Sequence, residues 1–228
     1  MPHTIILNEE QYTKLYKKLV KENIEDNNFD ISALYQLPKI SDKNKYCAER
    51  LPRVGAGSSR IVYKINDNSV IKLAKNQKGI AQNEVELNFA EESNLFPQLY
   101  DYDKKDTTWI ISEYARRATS QDFMRLTGHN FKFVKEFIKL VSSQYSRYSR
   151  WAPTPEQDKF YERVMNFDEP NSEFFYEINE YLTNYQINTI GDLMRPSSWG
   201  VAQRQNGDEL VIVDYGLTDD VFDKHYKN

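Results

Sequence analysis

Cysteine is almost missing from this sequence. Cys47 is the only one, so no disulfide can form within the chain, and a reducing, cytoplasmic setting is expected. The three histidines, His3, His129 and His225, are too scattered to offer metal-ligand spacing. No run approaches the roughly 18 apolar residues that a membrane-spanning helix needs. The opening "MPHTIILNEEQY" also lacks the basic-then-apolar order of a secretory leader, so no membrane partner is expected. Surplus positive charge is absent too. Thirty Lys and Arg against 34 Asp and Glu leave a net charge of −4, which gives no electrostatic reason to expect nucleic acid as a partner. Internal repeats and low-complexity tracts are lacking, which excludes a solenoid.

What is present is the material of a packed protein. The 228 residues are 39% hydrophobic and 14% aromatic, with 16 tyrosines, enough for one substantial domain or two lobes with their own cores. From Asn8, the residues Tyr12, Leu15, Tyr16, Leu19 and Val20 follow helical spacing. The stretch from Lys21 to Pro52 is polar and broken by Pro38, and it is expected to wrap or connect without forming a core of its own. Residues 1–50 are therefore expected to be a helical prefix.

The next segment changes period. Ile61 to Ile65 and Val70 to Leu73, separated by Asn66-Asp67-Asn68, predict a β-hairpin. Residues 79–93, "GIAQNEVELNFAEES", hold good helix formers and no proline, with Pro97 as the stop. "TTWIISEYA", from Thr107 to Ala115, predicts a buried strand. Two helical stripes follow, Val134, Phe137, Ile138 and Val141, then Phe174, Phe175, Ile178, Tyr181, Leu182 and Tyr185. Between them "SSQYSRYSRWAPTPEQ" predicts an exposed connection. Near the end, Asn206-Gly207 predicts the turn of a second hairpin. The expected fold class is α+β, with a strand-rich lobe over 51–115 and a mainly helical lobe over 116–228.

Chemistry concentrates in a few short stretches. In "VGAGSSRIVYKI", Gly55, Gly57, Ser58 and Ser59 put flexible backbone and hydroxyls between strand-like flanks, which suits either a turn or a cradle for phosphate oxygens. Lys72 follows in "VIKLA", an acidic helix comes next, Asp192 stands in "IGDL" and Asp214 in "IVDYG". Taken singly, Lys72 reads more readily as a strand-edge lysine and Asp214 as a turn residue, while Asp192 suits a turn and a functional role equally. Their order is what stands out.

Over Leu51 to Asp219 this order resembles the protein-kinase-like fold, and "GSSRIVYKI", "VIKLAKNQKGIAQNE" and "GDL...WGV...NG...IVDYGL" are similar to small kinase-like proteins of bacteriophages. The resemblance implies ATP and magnesium as cofactors. It implies that Gly55, Gly57, Ser58 and Ser59 cover the nucleotide phosphates and that Lys72 pairs with them and with an acidic residue of the next helix. Glu84 is the chosen partner; Glu86, about 200° around an ideal helix, would then face away. Glu113 and the backbone through Ala115 would lie near the adenine. Asp214 would bind magnesium, and Asp192 would orient or deprotonate the acceptor.

The sequence departs from that family at several points. Arg60 stands where a third glycine is usual, "IGD" replaces the usual histidine-arginine-aspartate run, and the metal-binding asparagine gives way to Ser197 or Ser198, of which Ser197 is the chosen ligand. Only Leu217 to Asn228 follows "DYG", so the usual platform for a peptide substrate is not expected. The resemblance thus implies a compact ATP-dependent phosphotransferase acting on an unidentified acceptor, such as a host or viral protein in the host cytoplasm. Nucleotidyl transfer is open on the same scaffold. The alternative is a catalytically impaired kinase-fold protein that acts as a binding or inhibitory module in phage-host interaction.

Overall fold

The computed structural model describes residues 29–90, 92–145, 154–184 and 190–226. The helix expected from Asn8 lies outside them. The chain divides into two compact units: one runs to Ile80 and takes in Leu99–Tyr114, and the other comprises Ala81–Gln98 and the chain from Ala115.

The first unit is built on five antiparallel strands, β1 (Arg53–Ala56), β2 (Arg60–Lys64), β3 (Ser69–Ala74), β4 (Leu99–Tyr102) and β5 (Trp109–Glu113), in the order β1-β2-β3-β5-β4. The expected hairpin is β2-β3. Its turn is closed by Asn66, whose Oδ1 accepts from the Asn68 N–H at 2.8 Å and the Ser69 hydroxyl at 3.0 Å. All six residues of β3 are buried, as suits a central strand with β-branched residues on both faces. Alternation sorts the sheet into two faces. Tyr63, Ile71, Leu73, Trp109 and Ile111 line one, and Phe29, Leu34, Cys47 and Leu51 complete the core there.

Those last residues come from the stretch expected to wrap or connect. Helices α1 (Ile31–Gln36) and α2 (Ile40–Arg50) contribute directly to the sheet's core. α1 starts where the Asp30 carboxylate accepts from the Ser32 N–H at 2.7 Å. α2 is fastened by Lys43, whose buried ammonium donates to Asp103 at 2.8 Å and to Thr108 at 2.7 Å. The polar look of this stretch conceals a few inward residues, Leu34 in α1 and Lys43 and Cys47 in α2, too sparse a stripe to announce a core.

The second unit is mainly helical. Helix α3 (Gln77–Phe89) begins in the first unit and is grouped with the second from Ala81 onward. It ends well before Pro97, since Leu95 and Phe96 turn into the core of this unit and the Ile212 N–H donates to the Leu95 carbonyl at 2.7 Å. Three strands, β6 (Ala115–Arg117), β7 (Trp199–Arg204) and β8 (Gly207–Ile212), form an antiparallel sheet. The expected Asn206-Gly207 turn joins the last two, with Gly207 at φ 124°.

Helices α4 (Ser120–Thr127), α5 (Phe131–Tyr145), α6 (Pro155–Met165) and α7 (Ser172–Asn184) supply most of the core. The expected stripe of α5 is wholly buried, as are Phe175, Ile178, Tyr181 and Leu182 of α7; Tyr185 lies outside the described residues. α4 and α6 were not expected. Each opens with a capping box, Thr119 with Asp122 and Thr154 with Gln157, and Pro155 occupies the first turn of α6. Part of the expected exposed connection is therefore helical. A short helix, α8 (Asp219–His225), ends the described chain.

Candidate functional site

In the strand-rich unit, the register places Lys72. It pairs with Val62 on β2 and Ile110 on β5, so its side chain projects from the face opposite the Tyr63, Ile71 and Leu73 core. The residue is only 4% exposed. The glycine stretch closes β1 onto β2, with Gly55 beside Val62 and the Gly57 N–H donating to the Arg60 carbonyl at 2.9 Å. Three successive carbonyls of this loop accept from the residues after β3. Gly57 O takes the Lys75 ammonium at 3.0 Å, Ser58 O the Asn76 amide at 3.3 Å, and Ser59 O the Lys75 N–H at 2.7 Å. A Cβ on Gly79 would meet the Ser59 carbonyl and stand 2.9 Å from Ala74 Cα, so a glycine is needed where α3 leaves the sheet. The loop is held by its carbonyls. Ser58 is exposed and Ser59 buried.

Glu113 pairs with Ser69, and alternation along β5 puts its side chain on the face of Trp109 and Ile111, away from Lys72. The backbone just beyond Glu113 is tied to the sheet, with the Tyr114 N–H donating to the Asn68 carbonyl at 2.8 Å. Ala115 begins β6 in the other unit, where its Cβ stands 2.7 Å from the position a Cβ on Gly200 would take.

In the helical unit, Asp192 lies on a turn that precedes β7, and Asp214 follows β8, so both fall at the same end of that hairpin. Three hydrogen bonds hold the irregular backbone there. The Trp199 indole N–H donates to the Leu193 carbonyl at 2.9 Å, the Val213 N–H to the Ser198 carbonyl at 2.8 Å, and the Tyr181 hydroxyl to the Tyr215 carbonyl at 3.4 Å. Asp192 is half-buried and pairs with Arg195 at 3.2 Å; Asp214 is exposed. Burial and then the Asp214 carboxylate push the Asp192 carboxyl above the ordinary carboxylate range, against the lowering effect of Arg195. Burial first, then Glu86, Asp214 and Asp192, push the Tyr181 phenol far above its usual value. Tyr181 thus lies within the field of three carboxylates, and Asp192 within that of Asp214.

The "DYG" stretch has a local physical reason. The Tyr215 ring stacks on Phe96 at 4.3 Å, and its hydroxyl donates to the Glu86 carbonyl at 3.3 Å. A Cβ on Gly216 would lie 2.6 Å from the Gln82 carbonyl, so only glycine lets this segment lie so close to α3. Along α3, Glu86 is fully buried and Glu84 exposed. Glu86, beside Asn83 and Ala90 on the buried stripe, is the inward carboxylate of α3, and Glu84, the one chosen from the sequence, points outward.

Ser197, the serine chosen as metal ligand, is exposed in a short 3-10 turn, whereas Ser198 is buried and tied to Val213. Among the described residues no three His, Cys, Asp or Glu side chains gather as a metal cluster, and no helix is long and apolar enough to cross a membrane. Magnesium held with nucleotide phosphates needs only one or two carboxylates, so the exposed Asp214 with Asp192 nearby is a donor set that fits. Sequence reasoning missed Tyr181 and Trp199, both hidden in apolar patterns. Only the polar end of each ring hinted that a buried partner was required.

No protein-family model matches the chain, and no curated protein matches it. Among solved structures it is similar to the GDP and kanamycin complex of APH(2")-IIia, at 13% identity and a TM-score of 0.35 over 78% of this chain and 73% of that one. It is also similar to the streptomycin-ATP-APH(2")-IIa ternary complex, at 14% identity and 0.32 over 93% and 72%. ADP-bound aminoglycoside phosphotransferase APH(2'')-Ib gives 14% identity and 0.31 over 78% and 70%. The fold class is α+β, as expected, with a five-stranded antiparallel sheet in one unit and a three-stranded sheet with most of the helices in the other.

Proposed function

We propose that this protein is a kinase-like phosphotransferase that uses ATP with magnesium. The observation that carries the proposal is the fixed end of the β7-β8 hairpin, where Trp199, Ser198 and Tyr181 hold the backbone around Asp192 and Asp214. Rigid support of two aspartates on irregular backbone is what positioning chemistry requires. In the strand-rich unit, Lys72 binds nucleotide phosphates from a position set by strand register on both sides. The loop from Gly55 to Ser59 covers them, its shape set by Lys75 and Asn76.

In the helical unit, Asp214 holds the magnesium ion with Asp192 beside it. The ion supplies neutralisation of phosphate charge when bound. Asp192 receives the acceptor's hydroxyl proton, and Arg195 holds one of its carboxylate oxygens in place. Ser198 is the serine closer to Asp214 in the backbone hydrogen-bond pattern, and we assign it the supporting role in place of Ser197. Glu86 takes the role assigned from the sequence to Glu84, since it is the carboxylate that α3 buries.

The test is mass-spectrometric detection of phosphate, or of AMP, added to the protein itself or to lysate proteins during incubation with ATP and magnesium. Transfer by the wild type, abolished in Asp192→Asn, is the expected result. Transfer that persists unchanged in that variant overturns the assigned mechanism. A second reading, a binding module with impaired chemistry, is favoured by the exposure of Ser197 at the position of a usual metal ligand. It predicts nucleotide binding with no transfer to any protein.

A further inference from the structure

The sequence left one misfit in the glycine loop, Arg60. β-sheet register settles which way it faces. Arg60 pairs with Ala74 and Val62 pairs with Lys72, and residues opposite or two apart along a strand project to one face. Arg60 and Lys72 are therefore diagonal neighbours on the same face of the sheet, a spacing of about 7–8 Å between such positions that two long side chains readily close. Arg60 is 6% exposed and Lys72 is 4% exposed. Neither is a surface cation.

The surroundings narrow its role. Lys75 is close in sequence, but its ammonium is engaged with the Gly57 carbonyl and its N–H with Ser59. Arg60 also begins β2 directly where the loop ends, and its own carbonyl accepts from the Gly57 N–H. A guanidinium fork so placed matches two phosphate oxygens at once, which an ammonium does not.

We propose that Arg60 is a second phosphate-binding residue of the strand-rich unit, acting with Lys72 to select nucleotides that carry a polyphosphate chain over nucleoside monophosphates. This rests on the nucleotide-binding reading given above. Lys72 supplies a point charge, and Arg60 adds a bidentate contact to the phosphate chain at the loop end of the same face.

Calorimetric titration with ATP, ADP and AMP, each with magnesium, tests it. In Arg60→Ala, affinity for ATP and ADP is expected to fall about tenfold or more, a size set by loss of a charge-assisted contact, while AMP affinity stays within about twofold of wild type. Arg60→Lys, which keeps the cation and most of the buried stem, should recover part of the loss. That variant also guards against a folding defect, which the melting temperature without ligand reveals. Equal loss for all three nucleotides in both variants overturns the proposal in favour of a purely structural arginine. No loss in either, with binding abolished by Lys72→Ala, overturns Arg60 alone. Wild type that binds none of the three overturns the nucleotide reading as well.

Discussion

Two fully buried tryptophans, one in each unit, mark how differently the units are held. Trp109 sits in strand β5, edge-on to Tyr35 at 4.9 Å, and its indole nitrogen has no hydrogen-bond partner among the described residues. Its strand is fixed by backbone ladders on both sides. Trp199 begins β7, and its indole N–H is spent on the Leu193 carbonyl in the turn that carries Asp192. One ring fills space and the other fastens a loop. The lesson is general to the molecule: Lys72 is positioned by regular sheet, whereas Asp192 and Asp214 are positioned by side chains reaching into irregular backbone.

The largest effect should come from the buried Lys43–Asp103 ion pair of the strand-rich unit. Lys43→Met leaves the Asp103 carboxylate buried without its cation, and loss of about 3–5 kcal/mol is expected in denaturant unfolding. Next come the tryptophans. Trp199→Phe strands the Leu193 carbonyl and should cost about 3 kcal/mol, from the unmade hydrogen bond and the smaller ring together. Trp109→Phe loses no hydrogen bond and should cost about 1 kcal/mol less or better. Equal costs for the two would break the contrast.

Acid should discriminate as well. Burial raises the Asp103 carboxyl, but donors from Lys43, Thr108 and the Lys105 N–H outweigh it and leave its pKa at about 2, below the ordinary 3.8. A lowered folded pKa means that this contribution is complete above pH 3.8 and is lost as pH falls toward 2. It amounts to on the order of 2 kcal/mol. Stability measured across that window should fall in wild type more steeply than in Asp103→Asn. The smallest effect belongs to Glu84→Gln, expected within about 0.5 kcal/mol of wild type because the side chain is exposed. Glu86→Gln, by contrast, should weaken transfer from ATP in a radioactive assay.

The contrast between units also explains what was legible in sequence. The β2-β3 and β7-β8 hairpins announced themselves because period-two alternation and the Asn66 and Asn206-Gly207 turns are local signals. The stripes of α5 and α7 were equally readable. Choosing Glu86 over Glu84 was not, since helical spacing says that the two diverge but not which one meets the core. The contribution of Phe29, Leu34 and Cys47 to the sheet was hidden for the same reason, and so was the hold of Tyr181 on the Tyr215 carbonyl. Long-range packing decides each of these.

The measurement that most directly tests the central claim is calorimetric titration of the protein with ATP at increasing magnesium concentration, in wild type and in Asp214→Asn. Magnesium-dependent ATP binding in wild type, with the magnesium dependence lost in Asp214→Asn, is the predicted result. ATP binding with the same magnesium dependence in both proteins would contradict the assignment of Asp214 as the metal ligand, and an absence of ATP binding at every magnesium concentration would contradict the nucleotide reading itself.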